Sequence, residues 1–229
     1  LTARGVTFSR AQCAQDGTLE AAEVERLITP RTRLVVMTHA SNVCGTVLPV
    51  KAVGEACRTH GVPLVVDAAQ TAGVIPLDMR ECGASAVCFT GHKGLLGPQG
   101  TGGCVLDPAF AERLEALVAG GTGSSSDSEE MPSFMPDRLE AGTPNLPGLA
   151  GLAAALGWLE KTGMDTVRAH EQALTQRLID GLAPLAVYKL TVTAGAGLWG
   201  FVGISYVTFK AVQVAIEVRD GLIGAQDLG

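Results

Sequence analysis

Basic residues are in short supply in this chain. Its 229 residues hold 17 lysines and arginines against 23 aspartates and glutamates, a net charge of −6, with an isoelectric point near 5.2. No basic cluster and no alternation of basic with aromatic residues reverses that sign locally, so the electrostatic footprint of a nucleic-acid-binding surface is missing. Long apolar runs are lacking too: none approaches the roughly 20 residues a membrane-spanning helix needs. The six cysteines (Cys13, Cys44, Cys57, Cys82, Cys88, Cys104) form no C-x-x-C, and no H-x-x-x-H occurs, which argues against zinc or any other bound metal. Several of them lie in apolar runs where a reduced, buried thiol is the ordinary reading, so a reducing cytoplasm is expected. Internal repeats are absent. The opening "LTARGVTFSR" has neither the features of a signal peptide nor an initiating Met, and the expectation is a fragment of something longer. What is present is a chain 47% hydrophobic and 17% charged, able to bury a sizeable core and too apolar for disorder.

Short apolar runs alternate with helical patterns along the first half. "TLEAAEVERLI" (18–28) reads as a helix stopped by Pro30, and 33–38 as a buried strand. Pro49 fits a first helical position, and Val50, Val53, Ala56 and Cys57 recur at helical spacing up to Gly61. "PLVVD" (63–67), "SAVCFT" (85–90) and "GGCVLD" (102–107) have strand length and Gly or Pro boundaries. This alternation predicts an α/β fold with parallel βαβ units. A helix is predicted from Pro108 to Val118, then a polar Gly- and Ser-rich tract over 119–145, longer than an idle loop. Two helices follow over 146–163 and 164–182, then strand-like pieces at 187–207 and a last helix near 210–218.

The chemistry concentrates in "FTGHKGLLGPQGTGG" (89–103), where Lys93 stands among six glycines. The order does not match a P-loop, because Gly94 and Leu95 follow the lysine where Ser or Thr is required. Asp67 closes one strand and Lys93 follows another. In open parallel sheets, ligands bind beyond the carboxyl ends of the strands, so an acid and a base are expected in one mouth. A structural ion pair, or two unrelated surface residues, is the plainer alternative. A lysine opposite a carboxylate among glycines suits pyridoxal phosphate chemistry: the lysine carries the cofactor as a Schiff base, and the carboxylate keeps the pyridine nitrogen protonated.

"THASNVCGT", "VVDAAQTAG", "FTGHKGLLGPQGTGG" and "RLEAGTPNLPGLAGL" together resemble the class V aminotransferases, in particular the cysteine desulfurase and selenocysteine lyase-like branch, over roughly residues 4–185. The resemblance implies the three-layer, mostly parallel sheet of the fold type I major domain over 1–185, with a remnant of a small C-terminal α/β domain over 186–229. It gives Lys93 as the catalytic lysine, Asp67 as the partner of the pyridine nitrogen and Gln70 as a donor to the phenolic oxygen. Asn42 falls near the cofactor and the substrate carboxylate, and Thr90 and His92 fall at the phosphate. Gly121 and Thr122 resemble the segment that reaches the phosphate of the neighbouring subunit in a homodimer, and Arg219 matches the substrate-carboxylate position. Implied partners are a small amino acid and a sulfur-acceptor protein. His39, closing a buried strand, reads as a satisfied structural residue, and Cys44 as a packing residue despite its closeness to Asn42.

The resemblance breaks at both ends. The family's first phosphate-binding turn and its ring-stacking residue precede the point where Leu1 begins, and "VRDGLIGAQDLG" has Ile223 and Gly224 where the family loop carries histidine and the persulfide-forming cysteine. This chain by itself is therefore not expected to sustain desulfuration. Two other readings are an aminotransferase or lyase that never needed the thiol, and a non-catalytic protein retaining the scaffold for dimerisation or binding.

Overall fold

A computed structural model of the chain describes residues 5–124 and 128–182. The strand-like pieces and helix expected beyond 186, the small domain they would form and Arg219 lie outside the described residues.

Helix α1 (Ala21–Glu25) is shorter than the apolar spacing predicts, because both of its ends are drawn into turns. The Asp16 carboxylate accepts from the Thr18 amide at 2.9 Å and its hydroxyl at 2.7 Å, which keeps 18–20 out of the helix. At the other end the Leu27 and Ile28 amides reach back only three residues, to Val24 and Glu25, the tightening with which helices commonly end. Strand β1 (Val35–Thr38) follows, then α2 (Val50–Thr59). In α2 the residues Val50, Val53, Ala56 and Cys57 fall on one buried face, as spacings of three and four require.

Strands β2 (Leu64–Asp67), β3 (Ala86–Thr90) and β4 (Gly102–Leu106) complete one sheet in the order β1-β2-β3-β4. The first three are parallel and β4 runs antiparallel to β3. The sheet is thus mixed and mostly parallel, and two of its connections differ from a regular βαβ series. The chain passes from β2 to β3 through turns, with no helix assigned over 68–85. From β3 to β4 the glycine-rich segment folds directly back, so no crossover is needed.

Val24 of α1 and Val50, Val53 and Cys57 of α2 pack with Met37, Leu64, Val66 and Val87 on one face of the sheet. Leu64, Val53 and Val66 are fully buried, each worth about 1.5–3 kcal/mol by removal from water. Helix α3 (Pro108–Ala111) is capped by Asp107, whose carboxylate accepts from the Phe110 amide at 3.0 Å. It stops well short of Val118 because its further apolar positions find no cover: Leu117 and Val118 are 79% and 68% exposed. Without tertiary packing a short helix does not hold. Among the described residues of the tract over 119–145 there is a 3-10 turn, Asp137–Leu139. Helix α4 (Leu146–Thr162), capped by the Asn145 side chain on the Gly148 amide, and α5 (Met164–Leu182) match their sequence limits closely.

Candidate active site

One row of the sheet orders the site. Thr38, Asp67 and Cys88 are register partners from β1 to β3, and Cys88 is in turn paired with Cys104 of β4. Asp67 is therefore the last residue of a central strand, at the carboxyl end shared by β1, β2 and β3. Its carboxylate accepts from the Ala69 amide at 2.9 Å, closing an Asx-type turn that carries the half-buried Gln70. The same turn is fastened to β1 from two sides. The His39 amide donates to the Asp67 carbonyl at 2.8 Å, and the His39 Nδ1 and Thr71 Oγ1 atoms share a hydrogen bond of 2.9 Å. His39 is a satisfied core histidine, as its sequence position suggests, and burial holds its imidazole below the ordinary value. Thr71 is fully buried and was invisible to motif reading, because its role is a contact across 32 positions.

The exit of β3 is tied to this turn. Thr90 Oγ1 donates to the Ala69 carbonyl at 3.4 Å, so the strand leading to Lys93 and the loop following Asp67 are joined directly. Beyond Thr90 the Gly91 amide donates to the Thr101 carbonyl at 2.9 Å, and the Gly91 carbonyl accepts from the Gly97 amide at 2.7 Å. Between these anchors Lys93 opens a turn closed by the Leu96 amide on the Lys93 carbonyl at 2.9 Å. Leu96 takes a positive φ of 59°, a conformation that costs a non-glycine residue about 1–2 kcal/mol. Gly94 is required by close approach: a Cβ there would lie 2.4 Å from Val74 Cγ2 and 2.5 Å from the Ala72 carbonyl oxygen. Thr101, buried and donating from Oγ1 to the Pro98 carbonyl at 2.6 Å, braces the far side. Its only sequence signal is a hydroxyl residue inside a glycine run.

Lys93 is half-buried and Asp67 exposed. The ion-pair alternative is not realised, since neither residue belongs to any ion pair among the described residues. Asn42 is exposed on the loop that follows β1, held by the Ser41 amide on the Thr46 carbonyl and the Gly45 amide on the Ser41 carbonyl. The packing role expected for Cys44 is corrected: the residue is exposed, and its sulfur lies 3.3 Å from Thr46 Oγ1. Burial acts to raise its thiol, but hydrogen bonds with Ser41 and Thr46 bring it below the ordinary value.

His92 is exposed beside Lys93. Gly121 and Thr122 lie apart in the long tract, where the Gly142 amide donates to the Gly120 carbonyl at 2.8 Å. No hydrogen bond among the described residues joins them to the strand ends. A cavity of about 650 Å³ is lined by Arg80, Ser85, Leu106 and Asp107 among others. It sits at the opposite end of β3, away from Lys93.

Loops following β1, β2 and β3 thus bring Asn42, Asp67, Gln70, Thr90, His92 and Lys93 to one end of the sheet. A half-buried lysine and a carboxylate without ion-pair partners among the described residues, an amide, a hydroxyl and an imidazole make a donor set that fits pyridoxal phosphate: an aldehyde for the amine, a ring nitrogen for the carboxylate and a dianion for the donors.

Comparison with known proteins gives the same direction. The family model described as aminotransferase class-V matches residues 1–221. A probable cysteine desulfurase of Halalkalibacterium halodurans is 35% identical over 193 residues, which is 80% of this chain and 45% of that protein. The apo structure of a cysteine desulfurase from Thermococcus onnurineus superposes with a TM-score of 0.67 at 30% identity, covering 77% of this chain and 44% of the other. A structure described as SspA in complex with cysteine gives a TM-score of 0.52 at 28% identity, over 62% of this chain and 37% of that one. The chain spans about half the length of the curated relatives it matches.

Proposed function

The chain belongs to the aminotransferase class-V family, and from that premise we propose that it supplies the cofactor-holding end of a pyridoxal phosphate-dependent enzyme of the cysteine desulfurase kind, acting on a small amino acid. Its mixed, mostly parallel sheet with helices is shared with fold type I enzymes of this group. The observation that carries the reading is the joined pair of strand ends: Asp67 closes β2, Lys93 follows the adjacent parallel β3, and the Thr90 hydroxyl links their loops.

When bound, the cofactor supplies an electron sink for the pair left on the substrate's Cα. Lys93 would hold the cofactor through Nζ and would move the substrate's Cα proton. The Asp67 carboxylate would hold the proton on the ring nitrogen, with its own orientation fixed by the Ala69 amide. Gln70 would donate to the phenolic oxygen, and Thr90 and His92 to the phosphate. Asn42 and the bidentate guanidinium of Arg219 suit the substrate carboxylate.

The resemblance further supports a cytoplasmic homodimer, with Gly121 and Thr122 of one copy reaching the phosphate of the other, and a sulfur-acceptor protein as partner. Cysteine is favoured as substrate by the names of the relatives and by the cysteine complex of the SspA structure.

The test uses the chain carrying Gly224→Cys, which restores a thiol where the family loop has one, and extended at its start with the corresponding segment of the Halalkalibacterium relative, supplied with pyridoxal phosphate, reductant and L-cysteine. Alanine and sulfide above a Lys93→Ala control are the expected products. A keto acid without sulfide would move the assignment to an aminotransferase. Cofactor absorbance identical in the parent and Lys93→Ala would overturn the reading altogether.

A further inference from the structure

Cys88 and Cys104 face each other across the antiparallel pair of β3 and β4, in direct register, with their sulfurs 3.4 Å apart. No other two sulfurs are hydrogen-bonded to each other among the described residues. Cys57 and Cys82 are buried, while Cys13 and Cys44 are exposed and each lacks a sulfur partner there. Directly opposed residues of an antiparallel pair have Cα atoms roughly 4.5 or 5.5 Å apart, inside the range of about 4.4–6.8 Å that disulfides span. Rotation of the two side chains is enough to bring the sulfurs together, so the backbone need not move. Access is available as well: Cys104 is exposed, and its neighbour Val105 is 53% exposed.

We propose that Cys88 and Cys104 are a redox modification site, a cross-strand thiol pair that closes to an intramolecular disulfide on exchange with a small-molecule disulfide. One sulfur, as thiolate, attacks the small disulfide, whose S–S bond breaks and releases one small thiolate. The second protein sulfur then gives up its proton and attacks the first, forming the Cys88–Cys104 bond and expelling the second small thiolate. Two protein thiols are oxidised by two electrons, the small disulfide is reduced to two thiols, and the two protein protons end on those thiols. Excess thiol reverses each step.

The placement gives the bond a consequence. Cys88 is also the register partner of Asp67, and its carbonyl accepts from the Ala68 amide at 2.8 Å. Closing the pair fastens β4 to β3 in the same row, two residues before Thr90, while leaving Lys93 and Asp67 untouched. The site stands on this geometry alone and does not depend on the cofactor reading.

The test takes the reduced 229-residue chain and incubates it natively with oxidised glutathione at about pH 8.5, the ordinary thiol value, while burial and the neighbouring Cys88 push the Cys104 thiol up to about 12. Alkylation, intact mass and fragment mapping follow. The expected product is a monomeric chain lighter by about 2 Da, with Cys88 and Cys104 joined and protected from alkylation, and restored by dithiothreitol. In Cys104→Ser the bond is absent and Cys88 carries at most a glutathione adduct. Full alkylation of both sulfurs in the parent chain, or a cross-link mapped to any other pair, would overturn the proposal. So would Cys88 and Cys104 joining only between chains.

Discussion

Lys93 forms no ion pair among the described residues, and its amine is presented by the turn around it. The turn that holds it is pinned at Gly91, Thr101 and Gly97 and backed by Gly94 against the 72–74 segment. Neighbouring His39 has a measurable signature of its own. Because burial lowers its imidazole in the folded chain, the unfolded chain takes up the proton first as pH falls. The contribution is therefore fully present above the ordinary value of 6.5 and is lost as pH drops from there through the folded value. Urea midpoints measured between about pH 7 and about pH 5 should fall further in the parent than in His39→Gln. Equal slopes would mean that His39 is not held neutral by the fold. Asp67 and Lys93 were legible because strand ends and glycine turns leave local marks in sequence. Thr71 and Thr101 were not, since each acts through a partner that only folding brings near. Cys44 misled for a different reason: the resemblance places it where the family tolerates apolar residues, yet here the position is a solvent-facing turn.

Among the elements, α2 shows how tightly helix and sheet layer are fitted. Gly54 lies inside this helix, where alanine would ordinarily gain about 1 kcal/mol in helix propensity. A Cβ at that position would come within 1.8 Å of the Cys82 carbonyl oxygen, which is backbone and cannot rotate away. Overpacking of this kind costs about 1–3 kcal/mol or more, so the packing effect wins. Gly54→Ala should lower the unfolding free energy, read from denaturation curves, by a net of up to about 2 kcal/mol. An increase would show that α2 can shift away from the 79–84 turn. The strands and the long helices were readable from run length and periodicity. Direction was not: the apolar run of β4 looks like a parallel strand, and only the short glycine connection, too short for a crossover, marks it as antiparallel. The end of α3 was equally hidden, because apolar spacing over 108–118 does not say whether anything lies opposite to cover it.

For the whole molecule, the described residues form a four-stranded sheet whose carboxyl end gathers the candidate catalytic groups, with α1 and α2 packed on one face. The central claim is that this end holds pyridoxal phosphate through Lys93. Borohydride reduction of the chain in the presence of pyridoxal phosphate, followed by peptide mapping, tests it most directly, since reduction makes the lysine–cofactor bond permanent. The chain offers four competing side-chain amines, on Lys51, Lys161, Lys189 and Lys210, besides the α-amine of its first residue. The predicted result is a label concentrated on Lys93 and lost in Lys93→Ala. A label spread evenly over the other lysines, or none on Lys93, would contradict the claim.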